Sequence, residues 1–398
     1  MLVPVDEAVS RVLKAARLSK AISLPLHDAD GYRLAENVAA TRTQPPFAAS
    51  AMDGYAVRRA DLDEGAVLKV IGEAAAGHSF SQSLGTREAV RIFTGAPLPD
   101  GADTILIQED AETSGQNEIT PTSLPKQGDY VRPAGMDFAE NETLLKQGTR
   151  LNFQSLSLAA AMNLPNLPVF EKPRVGIVSN GDELVIPGGS PGPDQIISSN
   201  AFGVASLVRE NGGVAIDYGI APDRPEAIRA SFEAARNDGS DVIVTLGGAS
   251  VGDHDLVRPV LLDMGAELDF WKIAMRPGKP FMFGSLDGVL ILGMPGNPVS
   301  SLVCSILFLK PLLLAMQGDD PTFRVFKATL TRPLPKNSHR QGYLRATVEF
   351  SGNEYRASPF DQQDSSILTV LAQANALVIR PPNAEPAAAG EECEFVWL

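Results

Sequence analysis

The 398-residue chain has few of the residues that build disulfide frameworks and transition-metal sites. It contains two cysteines, Cys304 and Cys393, and four histidines that are scattered without metal-ligand spacing. These numbers exclude a disulfide-stabilised secreted domain and a zinc site with thiolate ligands. Cys304 lies in an apolar run and is expected to behave as a small core residue. The cysteine content is typical of the reducing cytoplasm, which is the compartment that we expect.

Positive charge is also scarce. The chain has 34 Lys and Arg against 48 Asp and Glu, which gives a formal net charge of −14. A nucleic-acid groove needs a basic face, so this balance excludes nucleic acid as a partner. It does not exclude an anionic small molecule, because the charge of a local pocket can oppose that of the whole protein.

Signals for export and for membrane insertion are weak. Asp6 and Glu7 stand near the N-terminus, where a signal peptide would carry positive charge. The most apolar stretch, 299–316, is interrupted by Lys310 and Pro311 and falls short of a clean membrane span. The pattern predicts a buried helix there, and we expect neither export nor membrane association.

The chain divides into four predicted domains, so that the expected fold class is a multidomain α/β and β protein. Residues 171–318 alternate apolar strands with helices, which predicts a doubly wound, mostly parallel α/β domain. Residues 44–138 hold short apolar runs between turn residues and predict a β-rich inserted domain. It interrupts a small helical and extended domain made of residues 1–43 and 139–170. Residues 319–398 predict a C-terminal β-barrel-like domain.

The first of three glycine-rich turns that follow predicted α/β strands covers residues 179–184. Doubly wound sheets bind their ligands at such positions, beyond the carboxyl ends of the strands. This turn presents Asp182 and Glu183, whose carboxylates suit Mg²⁺ or a general base. A solvated acidic turn is the alternative interpretation.

The second turn, residues 245–255, combines Gly247, Gly248 and Ser250 ahead of a predicted helix. Its glycines let backbone amides approach an oxyanion, the hydroxyl adds a donor, and the helix start adds partial positive charge. Asp255 at its end suits a metal ion or a helix N-cap. The turn is therefore predicted to bind a phosphate-like group.

The third turn, residues 293–298, precedes the apolar helix. Pro298 fits the first helical turn, and Asn297 is predicted to cap it. A ligand role for the rigid segment from Pro295 onward would be added to that structural role.

Cations concentrate in one segment between the second and third turns. Lys272, Arg276 and Lys279 fall within eight residues of an otherwise acidic chain. Lys272 and Arg276 share one face if this segment is extended. A polyanionic ligand would explain the cluster, and a solvated loop is the alternative.

Two segments of the β-rich region carry polar residues on turns. Residues 50–57 place Asp53 beside a glycine, and residues 92–99 place Thr94 beside another. From the residues alone, ordinary turn chemistry explains both.

Together these segments resemble the MoeA family, the molybdopterin molybdenumtransferases, which share their architecture with the E domain of gephyrin. The matches are specific because they run in the family's order along almost the whole chain. They are SAMDGYAV (50–57), RIFTGAPLP (91–99), GDYVRPAGMD (128–137), SNGDEL (179–184), GGASVGDHD (247–255), MRPGKP (275–280) and GMPGNPVS (293–300).

The resemblance implies an α/β domain of the molybdopterin-binding type and an activity. Such enzymes insert molybdate into adenylylated molybdopterin and release AMP, with Mg²⁺ as cofactor. The resemblance also implies a homodimer, with each cleft between the α/β domain of one subunit and the β-rich insert of the other. A transient contact with the molybdopterin adenylyltransferase is expected.

Site residues follow from the resemblance by position. Glu183, Asp53, Asp255 and Asp223 are the catalytic candidates, and Glu183 and Asp255 are the first choices for the metal. Asp223 is also explained as a helix cap, because Asp223 and Glu226 form a variant of the capping box. The substrate-binding candidates are Thr94, Asp137, Gly247, Gly248, Ser250, Lys272, Arg276, Lys279, Pro295 and Pro298.

The sequence departs from the family pattern at two positions, with Asn180 where threonine is expected and Arg276 where lysine is frequent. Arginine and lysine are not interchangeable as oxyanion binders. Two alternative functions remain, a molybdopterin adenylyltransferase and a gephyrin-like scaffold. The β-rich segments and the tail argue against the first, and the lack of a fused adenylyltransferase domain argues against the second. Molybdate and tungstate are both tetrahedral dianions of nearly equal size, so the sequence pattern suits either of them.

Overall fold

The structure is a computed structural model that describes residues 2–248 and 256–398. Up to residue 172, helices and strands follow one another along the chain. They are α1 (Val5–Ala15), β1 (Ala21–Pro25), β2 (Val38–Ala39), β3 (Ala49–Ser50), β4 (Gly54–Val57), β5 (Leu68–Ala74), β6 (Glu88–Ile92), β7 (Thr104–Ile107), β8 (Ala111–Thr113), β9 (Glu118–Pro121), β10 (Val131–Arg132), β11 (Thr143–Leu145), α2 (Phe153–Ala161) and β12 (Asn166–Phe170).

The first and last strands of this region pair with each other. β1 runs antiparallel to β12, and β2 runs antiparallel to β11. Leu34, Phe138 and Leu167 lie in their common core. Between these pairs the chain forms a separate sheet in the order β7-β4-β6-β5-β9-β8. A β-rich insert within a small helical and extended body is thus present, as the predicted fold class requires.

Helix α1 packs elsewhere. Its apolar face, with Val5, Ala8 and Val12, is buried in the core of the α/β part of the chain. Next to it, the N–H group of Val3 donates to the carbonyl of Lys272 at 3.2 Å. The start of the chain is therefore attached to the α/β part, while the predicted domain boundaries stay a prediction.

The α/β part contains alternating strands and helices. They are β13 (Arg174–Asn180), β14 (Leu184–Val185), β15 (Ile196–Ile197), α3 (Asn200–Glu210), β16 (Val214–Ala221), α4 (Pro225–Asn237), β17 (Val242–Leu246), α5 (Val257–Asp263), β18 (Glu267–Trp271), β19 (Met275–Arg276), β20 (Met282–Leu286), β21 (Val289–Met294), α6 (Pro298–Cys304), a π-helical turn (Ser305–Leu309) and α7 (Lys310–Met316).

The central sheet has the order β16-β13-β17-β21-β20-β18. β16, β13, β17 and β21 are parallel, whereas β20 runs antiparallel to both of its neighbours. Strand β17 is buried along its whole length, as expected when helices cover both faces of a sheet. The carboxyl ends of the parallel strands therefore meet at one edge, where the predicted turns begin.

The segment Pro298–Met316 is the apolar helix predicted from the sequence. Its length and its mean hydropathy of 2.0 would suffice to cross a membrane. However, 72% of the apolar 18-residue stretch within it is buried inside the protein. Val299, Val303 and Phe308 lie in the α/β core, and Cys304 is completely buried there. The predictions of a buried helix and of a core cysteine are confirmed.

The C-terminal part closes into a barrel. Its elements are β22 (Phe326–Leu330), β23 (Gln341–Ser351), β24 (Glu354–Pro359), α8 (Leu368–Gln373), β25 (Ala376–Arg380) and β26 (Glu392–Trp397). The strands follow one another as β23-β24-β22-β26-β25, and β25 pairs back to β23. Strand β19 of the α/β part pairs with β23 and joins the two parts. The predicted fold class is confirmed.

Candidate functional site

A cleft with a volume of about 670 Å³ opens at the carboxyl edge of the parallel strands. It lies between the turns that follow β13, β17 and β21 and the short pair β14–β15. Ligands of doubly wound proteins bind at this edge. The sequence-predicted site residues that line the cleft are Glu183, Asp223, Gly247, Gly248, Pro295 and Pro298.

The acidic turn after β13 folds back on itself. Gly181 has a φ of +143°, and a Cβ atom there would collide with the carboxylate of Glu183. Asp182 and Asp223 bind each other's backbone. The N–H of Asp223 donates to Oδ1 of Asp182 at 3.1 Å, and the N–H of Asp182 lies 3.4 Å from Oδ2 of Asp223. These contacts bring the Asp223 carboxylate to the acidic turn.

The predicted capping role of Asp223 is wrong. Helix α4 begins at Pro225 with Arg224 as its N-cap residue, and no side chain caps it. Proline is favoured at the first helical position, so this residue sets the start of the helix. Asp223 lies just outside the helix and lines the cleft instead.

The glycine turn after β17 leaves no room for side chains. Gly247 and Gly248 have φ values of +95° and +63°. A Cβ atom on Gly248 would overlap the side chain of Val257, and one on Gly247 would lie 2.9 Å from the carbonyl oxygen of Asn180. The N–H of Gly247 donates to the carbonyl of Met294 at 3.2 Å. That hydrogen bond holds the ends of β17 and β21 together, and the substrate-binding role of Gly247 stays a prediction.

The third turn joins the α/β part to the barrel. Asn297 is the N-cap residue of α6, as predicted, but its side chain makes no capping hydrogen bond. Its Nδ2 atom donates to Oγ of Ser365 at 2.9 Å instead. Ser366 lines the cleft, so the C-terminal part contributes to its wall.

The basic segment does not form one continuous strand. β18 ends at Trp271, and Lys272 has a φ of +83°. Nζ of Lys272 lies 3.9 Å from the centre of the Trp271 ring, where Arg258 also packs. The condition for a common face of Lys272 and Arg276, a continuous extended segment, is therefore not met. Arg276 belongs to β19, and Lys279 is exposed on the loop that follows.

Arg276 lines a second cavity of about 630 Å³ together with the barrel. Arg345 of β23 lies in the same cavity and is only 1% exposed. Its Nη2 atom donates to the carbonyl of Asp364 at 2.8 Å, while Nε has no hydrogen-bond partner among the described residues. Burial lowers the pKa of the Arg345 guanidinium. Sequence reasoning missed this residue, although a single arginine in the apolar strand QGYLRATV was a signal.

Asp53 and Thr94 meet on the β-rich insert. Oδ1 of Asp53 accepts hydrogen bonds from the N–H of Thr94 at 2.8 Å and from its hydroxyl at 2.9 Å. The backbone hydrogen bond is the main reason why the pKa of Asp53 is lowered. Asp137 lies nearby, in a cavity of about 590 Å³ that also contains Gly95. None of these residues lines the α/β cleft of the same chain.

Two predicted residues, Ser250 and Asp255, lie outside the described residues. Within residues 2–248 and 256–398, no group of three or more His, Cys, Asp or Glu could hold a metal ion. Mg²⁺ commonly uses one or two protein carboxylates and completes its shell with substrate phosphates and water. Glu183 and Asp223 fit that requirement, since both line the cleft.

The parallel sheet defines a doubly wound α/β protein, and its cleft of about 670 Å³ lies at the edge where proteins of this class bind small molecules. Three family models match the chain. They are described as the MoeA N-terminal region (domain I and II) at residues 3–163, a probable molybdopterin binding domain at residues 176–315, and the MoeA C-terminal region (domain IV) at residues 327–398.

Relatives match over almost the full length. The molybdopterin molybdenumtransferase of Haemophilus influenzae is 33% identical over 394 residues, which cover 98% of this chain and 97% of the relative. That of Bacillus subtilis is 33% identical and covers 95% and 90%. A crystal structure of the molybdopterin biosynthesis MoeA protein from Pyrococcus horikoshii has 32% identity, a TM-score of 0.87 and coverage of 100% and 99%. The chain belongs to the MoeA family of molybdopterin molybdenumtransferases, and the predicted enzyme class is confirmed.

Proposed function

We propose that this enzyme inserts molybdate into adenylylated molybdopterin, uses Mg²⁺ and releases AMP. The cleft carries the proposal, because Glu183, Asp223 and the glycine turn lie together at one edge of the sheet. Carboxylates suit Mg²⁺, and glycine turns let phosphate groups approach the backbone. In this reaction the phosphoanhydride breaks and the oxygen of a water molecule completes the phosphate of AMP. The two dithiolene sulfur atoms replace one oxide of molybdate, which leaves as water with the two thiol protons.

Glu183 and Asp223, with Asp255, would hold Mg²⁺ beside the substrate phosphates. When bound, Mg²⁺ supplies positive charge that polarises the phosphoanhydride and offsets the repulsion between an acidic protein and an anionic substrate. Arg276, Lys279 and the buried Arg345 provide positive charge for molybdate. Because Arg345 is already desolvated, its charge acts strongly on an oxyanion without reorganisation.

Release of AMP tests this function. Purified protein is mixed with adenylylated molybdopterin, molybdate and Mg²⁺, and AMP is measured over time. We expect Glu183→Gln to abolish release, while Glu226→Gln, a matched change on the exposed start of α4, retains it. Formation of adenylylated molybdopterin from ATP without AMP release from that substrate would contradict the proposal and favour the adenylyltransferase.

A homodimer is the second part of the proposal. Asp53 and Thr94 lie away from the cleft of their own chain, so a second copy would supply them. Large apolar side chains are exposed on both surfaces that would meet. Those near the cleft are Ile186, Ile196, Ile197 and Phe202, and those on the insert and its surroundings are Phe47, Met52, Tyr130 and Met136.

Mixing two inactive variants tests this arrangement. Asp53→Asn and Glu183→Gln are each expected to be inactive, but a mixed dimer with one change in each subunit has one intact cleft. Random exchange of subunits in a twofold dimer should restore about a quarter of the activity. A monomer in light scattering, or no restored activity from a proven mixed dimer, would contradict the shared cleft.

The substrate must come from a molybdopterin adenylyltransferase, and we propose a transient contact with that enzyme in the cytoplasm. Both cysteines of the chain are buried free thiols, which supports a reducing compartment. A competing trap for free adenylylated molybdopterin tests the contact. Transfer through a contact should resist the trap, whereas transfer through solution should stop.

A further inference from the structure

Asn180 occupies an unusual position for an amide side chain. It is the last residue of β13, is only 7% exposed, and also lines the cleft. With the carboxamide assigned the orientation in which its nitrogen faces the neighbouring acceptors, the Nδ2 atom donates hydrogen bonds to the carbonyl oxygens of Gly247 at 3.1 Å and Leu246 at 3.3 Å. The side chain thus connects the carboxyl end of β13 to that of β17.

The glycine turn lies directly on this residue. A Cβ atom added to Gly247 would lie 2.9 Å from the Asn180 carbonyl oxygen, and one added to Gly248 would lie 2.8 Å from its side chain. The hydroxyl of Thr245 lies 3.4 Å from the carboxamide and donates to the carbonyl of Gly247 at 3.3 Å. Asn180 therefore limits both the position and the orientation of the turn.

Leu246 is buried, and the Asn180 amide supplies a donor to its carbonyl, whereas the carbonyl of Gly247 accepts from both this amide and the Thr245 hydroxyl. A buried acceptor without a partner costs about 1–3 kcal/mol, so the turn would move to find a donor if the amide were absent. Displacement by 1 Å at a site that holds a reacting substrate can cost about a hundredfold in rate. The amide is thus suited to keep the glycine turn at a fixed distance from Glu183 across the cleft.

We propose that Asn180 is a positioning residue that holds the glycine turn 246–248 in the geometry that binds substrate. This inference rests on the proposed function, because it assumes that the molybdopterin substrate occupies this cleft. It assigns a role to the departure from threonine in the family pattern. At this position the required property is a side-chain donor toward two carbonyl oxygens.

A pair of variants of nearly equal size separates the donor from the shape. Asn180→Thr keeps one hydroxyl donor, and Asn180→Val has none. The dissociation constant for molybdopterin is measured directly, and kcat and KM for AMP release are measured separately. We expect Asn180→Val to bind at least about tenfold more weakly than Asn180→Thr, in keeping with the loss of one buried hydrogen bond.

Asn180→Asp keeps nearly the same shape but places a carboxylate oxygen against the two carbonyl oxygens, which repel it. This variant should bind molybdopterin more weakly still than Asn180→Val. Asn211→Asp is its matched control, because Nδ2 of Asn211 also donates to a carbonyl, that of Leu207 at 2.8 Å, outside the cleft. If Asn180→Asp and Asn211→Asp lower the melting temperature by similar amounts but only Asn180→Asp loses molybdopterin binding, the positioning role is supported. Equal binding by the threonine and valine variants, or equal losses at positions 180 and 211, would overturn it. Binding that follows this order without AMP release would contradict only the proposed reaction.

Discussion

Gly248→Ala should damage the cleft through a single methyl group. At φ +63° alanine costs about 1–2 kcal/mol relative to an allowed conformation. The new Cβ atom would also overlap Cγ2 of Val257, a completely buried residue, and lie 2.8 Å from the Asn180 side chain. Overpacking of this kind costs about 1–3 kcal/mol. The free energy of unfolding of the α/β part should therefore fall by about 2–5 kcal/mol.

Gly239→Ala is the matched control. Gly239 has a similar φ of +77°, but nothing lies within 4 Å of its added Cβ atom. Gly239→Ala should lower the free energy of unfolding only by the cost of the left-handed backbone conformation, about 1–2 kcal/mol. Urea unfolding is followed by the fluorescence of Trp271 in a Trp397→Phe background, since these are the chain's two tryptophans.

Removing the obstacle should rescue the variant. In Gly248→Ala combined with Val257→Ala, the methyl group gains space, so the double variant should be more stable than the sum of the single changes by about 1–3 kcal/mol. Purely additive changes in the free energy of unfolding, or equal losses of stability in Gly248→Ala and Gly239→Ala, would refute the view that the turn is packed against α5 and β13.

Three further predictions concern other contacts. Thr94→Val removes the hydroxyl donor to Asp53 and should raise the pKa of that carboxylate, as measured by NMR titration. Because this pKa is lowered in the folded protein, the contact stabilises the fold at higher pH, and this stabilisation is lost as the pH falls through that pKa. Asp319→Ala leaves Arg33, which is 5% exposed, without its ion pair, and should cost about 2 kcal/mol in urea unfolding, discounted because Asp319 is partly exposed. Burial raises the pKa of the Cys304 thiol, so Cys304 should resist alkylation by iodoacetamide until the protein unfolds, as read by mass spectrometry.

The strand ends of the cleft could be predicted from the sequence because local chemistry determines them. The turn around Glu183 and the glycine turn both follow apolar strands that a parallel sheet must bury, so their common edge follows from the fold class. Asp223 shows the limit of local reasoning, because an acidic residue before a helix suggests a cap. The proline at position 225 decides the helix start instead.

Other features depend on contacts between distant parts of the chain. Arg345 is buried because the barrel closes around it and β19 of the α/β part pairs with β23. Lys272 adopts a left-handed φ where β18 ends, which an alternation pattern cannot predict. The hydrogen bonds between Asp53 and Thr94 join residues 41 positions apart, so the turn chemistry of each segment alone could not indicate them.

The attachment of α1 has a consequence for how the protein is made. Val3 exchanges backbone hydrogen bonds with Lys272 and Ala274, and Ser19 donates to the carbonyl of Met316. A ribosome that adds about 5–20 residues per second needs about 15–60 s to reach these partners. During that time the apolar face of α1 has no native core to pack against, so it stays exposed to solvent and to other chains. The first helix to be synthesised is thus among the last to find its native neighbours.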